Sequence, residues 1–340
     1  MGGMLFDPET LVDSLSETAG YKAGLALSVE AMCDHLSDTR YADLLRESEM
    51  HIVRIRSEDY EDLFFKLLHR IGYTTEEFNG DYTGISLVHK YRGTEKELIH
   101  ARVTELLIEY WPRLIEEANK SGGRTIDPSP YLKACAQEFG KIGAEIAWER
   151  LEIINKGINL NPHASVRYTE WNSVEHLDSL FLGGGNKPEV GTFIDQRFIN
   201  YLFANPDKLG EMHWRKFEEL TAEYFNKAGY SVMLGPGQND DGVDVRIWKE
   251  DQDQDADAPL CIIQCKRQKQ KVEKVIVKGL YSDIQFEKAQ CGLLVTTSEL
   301  SPGARKTIRV RGYPIEEVNR TQLKKWLTEL HIPGAGIVRV

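Results

Sequence analysis

The sequence predicts an α+β protein of two domains, a mostly α-helical N-terminal region followed by an α/β domain whose mixed central sheet is flanked by helices. Three observations carry that expectation. The chain has 340 residues, more than one hydrophobic core usually serves. Over residues 8–155 apolar side chains recur at three- and four-residue spacings, most clearly in 60–71 and 95–119, which is the helical period. After residue 211 short apolar runs alternate with helical stretches, the pattern of a sheet covered by helices.

Taken in order, Ser121-Gly122-Gly123, Asp127-Pro128-Ser129-Pro130 and Asn161-Pro162 read as turns between helices, and residues 84–88 read as a short strand. Gly183-Gly184-Gly185-Asn186-Lys187-Pro188 reads as a linker, because triple glycine followed by polar residues and proline suits no regular element. The expected boundaries are a helical domain at 1–182, a linker with a connecting helix (193–203) at 183–210, an α/β domain at 211–330 and a tail at 331–340. The α/β domain opens with a helix at 212–228 stopped by Gly229. A strand at 230–234, a Gly235-Pro236-Gly237 turn, a strand at 243–248, an acidic loop at 249–259 and a strand at 260–266 come next. A helix at 272–286, a strand at 291–297, a helix starting near Ser301-Pro302, a strand at 314–318 and a helix at 321–330 complete it. The acidic loop reads as a disordered hairpin tip, since its Asp-Gln repeats lack the glycine of a calcium loop.

Composition narrows the function classes. Hydrophobic residues make up 41% and charged residues 28% of the chain, ordinary values for a folded soluble protein. No apolar run reaches the eighteen or so residues of a membrane span, and the first residues lack a basic stretch followed by an apolar one. Cys33, Cys135, Cys261, Cys265 and Cys291 are an odd, scattered set without Cys-x-x-Cys, which excludes a disulfide framework and a zinc ribbon and fits a reducing cytoplasm. None of the nine histidines belongs to a His-Glu-x-x-His pattern.

The net charge of -11 is unevenly spread. Residues 211–340 carry 20 Lys and Arg against 19 Asp and Glu, leaving 22 against 34 for residues 1–210. Within the later part, Lys266, Arg267, Lys269, Lys271, Lys274 and Lys278 crowd together with only Glu273 opposing them, a basic strip of the kind phosphate backbones select. A solvated helix face accounts for the same strip, and the two readings are compatible.

Chemistry concentrates on the strand at 260–266. With side chains alternating between faces, Cys261, Ile263 and Cys265 point into a core, and Gln264 and Lys266 share the other face about 7 Å apart. Upstream, Asn239-Asp240-Asp241-Gly242-Val243-Asp244 ends a glycine-containing turn and places Asp244 beside Gln264 on the neighbouring strand. One carboxylate, one amide oxygen, a backbone carbonyl and a substrate phosphate make a plausible Mg²⁺ shell. Such an ion polarises a phosphodiester and water, and a nearby lysine steadies the developing charge. Glu218, on the preceding helix, is placed to reach the same site, with Asp240 and Asp241 as accessory acids. Taken one at a time these are commonplace, since Asp and Gly are ordinary turn residues and Gln-x-Lys occurs by chance.

The ordered succession is more specific. Phe217-Glu218-Glu219-Leu220, Gly229-Tyr230, Asp240-Asp241-Gly242-Val243-Asp244, Gln264-Cys265-Lys266-Arg267 and Leu294-Val295-Thr296-Thr297-Ser298 together resemble the Mrr-type restriction endonuclease domain of the PD-(D/E)xK superfamily. The resemblance covers about 120 of the 340 residues. It implies a restriction-endonuclease-like α/β fold and a Mg²⁺-dependent endonuclease acting on DNA in restriction or anti-phage defence, with Mn²⁺ as a second supporting ion. It further implies Asp244 as metal ligand, Gln264 in the Glu/Gln position, Lys266 as the catalytic lysine and Glu218 as the helix carboxylate. Two departures stand out: Asp241 occupies a position usually held by glycine, and Gln264 replaces the charged ligand, a variant usual among Mrr-like members.

Arg267, Lys269, Lys271, Lys274 and Lys278 are the expected nucleic-acid contacts. Cutting both strands from one site per chain implies a homo-oligomer, and the acidic N-terminal region suits targeting, assembly or a partner defence protein rather than DNA. Two alternatives stay open on the residues alone, a catalytically weak or inactive DNA-binding or assembly module and an RNA-cleaving nuclease.

Overall fold

In the N-terminal part of the computed structural model, apolar periodicity becomes helices that bury one stripe each. The structure describes residues 3–75, 77, 84–120, 126–160, 171–183, 188, 191–237, 242–254 and 256–331. The expected turns at 121–123 and 161–162, most of the 183–188 linker, Asp240, Asp241 and the tail beyond His331 lie outside them. The chain divides into two units, one of Met1–His69 with Tyr73–Glu170, the other of Arg70–Gly72 with Trp171–Ile332. The linker expected from sequence thus falls inside the second unit.

The first unit comprises β1 (Gly3–Phe6), α1 (Thr10–Ala23), β2 (Leu25–Ala26), α2 (Val29–His35), α3 (Tyr41–Ser48), β3 (Val53–Arg56), α4 (Ser57–Arg70), α5 (Ile85–Tyr91), α6 (Glu97–Lys120) and α7 (Ser129–Leu160). One core joins Leu87 and Tyr91 of α5 to Val103, Leu106 and Leu107 of α6 and Tyr131, Cys135, Ile146 and Leu151 of α7. Gly140, at φ +61, breaks α7 into two helical stretches. Two expectations need correction. Residues 84–88, expected as a strand, begin helix α5, because Leu87 and Tyr91 bury at the i, i+4 spacing of a helix. Residues 53–56, read as part of a helical region, form β3, whose Val53 and Ile55 turn inward while Arg54 and Arg56 turn out; it pairs antiparallel with β1, Phe6 opposite Val53.

The second unit contains β4 (Glu175–His176), α8 (Gln196–Ala204), α9 (Trp214–Lys227), β5 (Ser231–Leu234), β6 (Val245–Trp248), β7 (Cys261–Lys266), α10 (Lys274–Glu287), β8 (Cys291–Thr296), α11 (Pro302–Arg311), β9 (Ile315–Val318) and α12 (Arg320–Leu330). Its sheet runs β5-β6-β7-β8-β9. The first two pairings are antiparallel and the last two parallel, the mixed sheet expected from the sequence. Glycine at 229 (φ +86) and 237 (φ +80) supplies the backbone that ends α9 and turns the β5–β6 hairpin.

Helices cover both faces. Cys265 of β7 touches Thr221 of α9. Its alternate neighbour Ile262 is fully buried with Val277, Leu280 and Ile284 of α10. The face of β7 carrying Gln264 and Lys266 is therefore polar only at its carboxyl end. Trp326 of α12 stacks on Tyr224 of α9, centroids 4.0 Å apart. Helix α10 starts two residues later than expected because Val272 pairs as a parallel bridge with Leu300. The acidic loop is hydrogen-bonded rather than loose: Asp257 O accepts from the Trp248 indole and the Gln254 amide donates to Ser231.

Candidate active site

The β6–β7 register places Val245 opposite Ile263, which sets Asp244 opposite Gln264 one step further along. The Asp244 amide donates to Ile263 O at 2.9 Å, and its carboxylate Oδ2 accepts from the Cys265 amide at 2.6 Å. Beyond this point the chain turns away through Gly242 at φ +89. An aspartate thus takes over where the backbone ladder ends, and its side chain is fixed by the strand that carries Gln264. A side chain at Gly242 would run into the Gln264 amide, 2.7 Å from an added Cβ.

Glu218 projects from α9 into the same region and is 5% exposed. Burial pushes its carboxyl up to about 8, the negative charge of Asp244 and a hydrogen bond between the two add to the shift, and Arg215 opposes it. Two carboxyls facing one another in a buried place share a proton until a cation replaces it. Gln264 contributes Oε1, which is buried and has no hydrogen-bond partner among the described residues. Among them no three His, Cys, Asp or Glu side chains form a metal cluster. The donors in this region are the paired carboxylates of Glu218 and Asp244 and, across the strand pair from Asp244, the orphaned amide oxygen of Gln264, hard oxygen ligands of the kind Mg²⁺ or Mn²⁺ takes.

Lys266 follows two residues after Gln264 and is half-buried. Its charge bears on the Cys265 thiol, which burial nevertheless holds well above its ordinary pKa. The main chain at Lys266 is stapled from β8. Thr296 Oγ1 donates to Lys266 O at 2.7 Å and Thr297 Oγ1 to Gln268 O at 3.2 Å, while Ser298 Oγ donates to Lys269 O at 3.3 Å.

The expected nucleic-acid residues part company. Arg267 and Lys269 line a cleft of about 810 Å³. Lys271 is paired with Glu299 at 2.7 Å. Lys274 and Lys278 are exposed on α10, outside that lining. The sequence reading missed Arg215, whose Nη1 donates both to Glu218 at 2.9 Å and to Gly235 O at 2.8 Å, tying the helix carboxylate to the turn that leads toward Asp244. Its i, i+3 spacing from Glu218 was the available signal. It also missed the staples, which the hydroxyl run Thr296-Thr297-Ser298 at a strand end foreshadowed.

Residues 209–327 match the Mrr catalytic family, whose description is restriction endonuclease. This part of the chain is an Mrr-type restriction endonuclease domain. The Mrr-type domain accounts for the mixed sheet and for the order of the sequence blocks across it. A similar solved structure is the MspJI restriction endonuclease in complex with a 27-mer oligonucleotide, 20% identical, with a TM-score of 0.27. That match covers 44% of this chain and 35% of the other, so it spans about a third of that protein's length. No curated protein matches the chain. Within the described residues no helix is long and apolar enough to cross a membrane.

Proposed function

We propose that the chain is a metal-dependent endonuclease that hydrolyses phosphodiester bonds in DNA, with its site at Asp244, Gln264, Lys266 and Glu218. The observation that carries this reading is the buried Glu218–Asp244 pair beside the orphaned Gln264 Oε1, on a domain of restriction endonuclease type. Asp244 and Gln264 would hold a Mg²⁺ or Mn²⁺ ion, with Glu218 completing the oxygen set. When bound, the ion supplies Lewis-acid polarisation of the phosphodiester and of water.

The chain's own groups do the rest. The Cys265 amide fixes the rotamer of Asp244, and Arg215 orients Glu218. The Lys266 ammonium stabilises charge developing on the phosphate, an interaction worth most in a site that excludes water.

The domain type also supports a role in restriction or anti-phage defence. The acidic N-terminal unit fits protein contacts, with targeting, homo-oligomerisation or a partner defence protein as its task. Plasmid DNA incubated with the full chain and Mg²⁺ or Mn²⁺ is expected to be cut, and Asp244→Ala and Lys266→Ala are each expected to slow cutting by about 10²-fold or more. If the wild type cuts no faster than these variants, the reading fails.

A further inference from the structure

We propose that the cleft at the carboxyl ends of β7, β8 and β9 is the track in which the phosphodiester backbone of the DNA lies as it passes the site. This inference rests on the nuclease reading above.

The cleft has a volume of about 810 Å³ and is walled by segments 267–269 after β7, 297–299 after β8 and 319–321 after β9, with 207–211 opposite. Crevices outside the carboxyl ends of parallel strands are where open α/β sheets bind ligands, because the loops there diverge. Its first wall begins at Arg267, the residue after Lys266, although Glu218, Asp244, Gln264 and Lys266 are not themselves among its lining residues.

Charge decides what kind of molecule fits. Every acid in the lining is answered by a cation: Asp207 by Arg320 at 3.0 Å, Glu211 by Lys208 at 2.9 Å, and Glu299 by Lys271 at 2.7 Å and Arg305 at 3.2 Å. Arg267 and Lys269 have no carboxylate among the described residues; Arg267 donates only to Gly210 O, at 2.9 Å. Their two charges are therefore the uncompensated ones, in a cleft otherwise lined by hydroxyl and amide groups of Gln268, Thr297, Ser298, Asn319 and Thr321. A backbone of regularly spaced phosphates meets that demand.

The cationic wall is also held in shape. Thr297 Oγ1 both donates to Gln268 O and accepts from the Gln268 amide at 3.1 Å, and Ser298 holds Lys269 O. Binding therefore orders little of the protein, which favours affinity. The strip seen in the sequence splits accordingly. Arg267 and Lys269 face the substrate track, whereas Lys274 and Lys278 stand on the outer surface of α10.

The test uses the full chain carrying Asp244→Ala, so that DNA stays intact, and measures the Kd for labelled duplex DNA over a range of salt. Lys269→Gln, which breaks no hydrogen bond, is expected to weaken binding and to reduce the slope of log Kd against log salt by about one; adding Arg267→Gln reduces it by about two in all. Lys324→Gln with Lys325→Gln, exposed on α12 outside the cleft, leaves the slope unchanged, and unchanged melting temperatures show that the fold is intact. Parent-like slopes in the cleft variants, loss of slope in Lys274→Gln with Lys278→Gln instead, or no DNA binding by the parent overturn the inference. A wild type that binds through the cleft but never cuts overturns the nuclease reading and leaves the track standing; a wild type that cuts while the cleft variants bind like the parent does the reverse.

Discussion

Glu218 shows how one buried side chain records the purpose of a site. A glutamate at 5% exposure beside Asp244 carries a carboxyl raised from 4.5 to about 8, by burial first and by the neighbouring negative charge second, with Arg215 as the facing cation and Cys265 a neutral thiol nearby. A carboxyl whose folded pKa lies above its unfolded value binds more protons in the fold, so its contribution to stability is greatest below the unfolded pKa and declines as pH rises toward the folded one. In metal-free buffer the melting temperature is expected to fall between pH 5 and pH 8 by a few degrees, and Glu218→Gln is expected to flatten that fall. Added Mg²⁺ competes with the shared proton, so it stabilises more at pH 8 than at pH 6. Scanning calorimetry at both pH values checks this; equal shifts with Mg²⁺ at both would remove Glu218 and Asp244 from the proposed ligand set. The identity of these residues was legible in the sequence. Their mutual approach was not, because it depends on how α9 lies against β7.

At the scale of elements, the staples from β8 to the segment after β7 link strand order to the placing of Lys266. Thr296 is fully buried; its hydroxyl donates to Lys266 O and accepts from the Ser298 amide. Thr296→Val keeps the shape but takes the acceptor from the Ser298 amide and leaves Lys266 O with the Thr297 amide alone, at 3.3 Å, at a cost of about 1–3 kcal/mol. Cleavage should fall along with stability, whereas Thr296→Ser should keep both. Denaturant titration with a cleavage assay separates the cases, and a Val variant with unchanged stability and activity would contradict the staple. Strands β5 to β9 were legible because turn residues or loops set each apart from the helices around it. Strand β3 was not: it runs straight into α4 at Ser57 with no turn residue between them, and only pairing with β1 makes it a strand. Residues 84–88 erred the other way, since an apolar run without a partner strand follows its local helical spacing.

At the scale of the whole molecule, the second unit borrows three residues from early in the chain. Arg70 O accepts from Asn205 Nδ2 at 2.6 Å, and the His331 ring lies 3.4 Å from Gly72 O. Gly72, at φ +83, sits so close to Asn200 that an added Cβ would lie 1.9 Å from its carbonyl oxygen. Gly72→Ala is therefore expected to cost more than about 3 kcal/mol, through a backbone clash and an unfavourable φ together. Urea unfolding measures it, and a loss below about 1 kcal/mol would mean that this close approach is easily relaxed. Nothing local to Gly72 marks it as more than the glycine after a helix, because the atoms it meets lie 128 positions further along.

By itself the sequence determined the class of the protein, the strand and helix order of its second part and the residue types able to hold a hard cation, since local periodicity, turn chemistry and side-chain chemistry are properties of short segments. Only the tertiary structure decided that Glu218 and Asp244 share a buried space, that Arg215 and the Thr296–Ser298 hydroxyls hold the site in place, and which lysines face the cleft. Those are properties of contact between distant segments, where burial turns ordinary charges into strong ones and a helix face has a direction. The basic strip is the plainest instance: six neighbouring cations in the sequence look equivalent, and the fold keeps Lys266 half-buried at the end of β7, sends two into a cleft, ties one to Glu299 and leaves two on an outer helix surface.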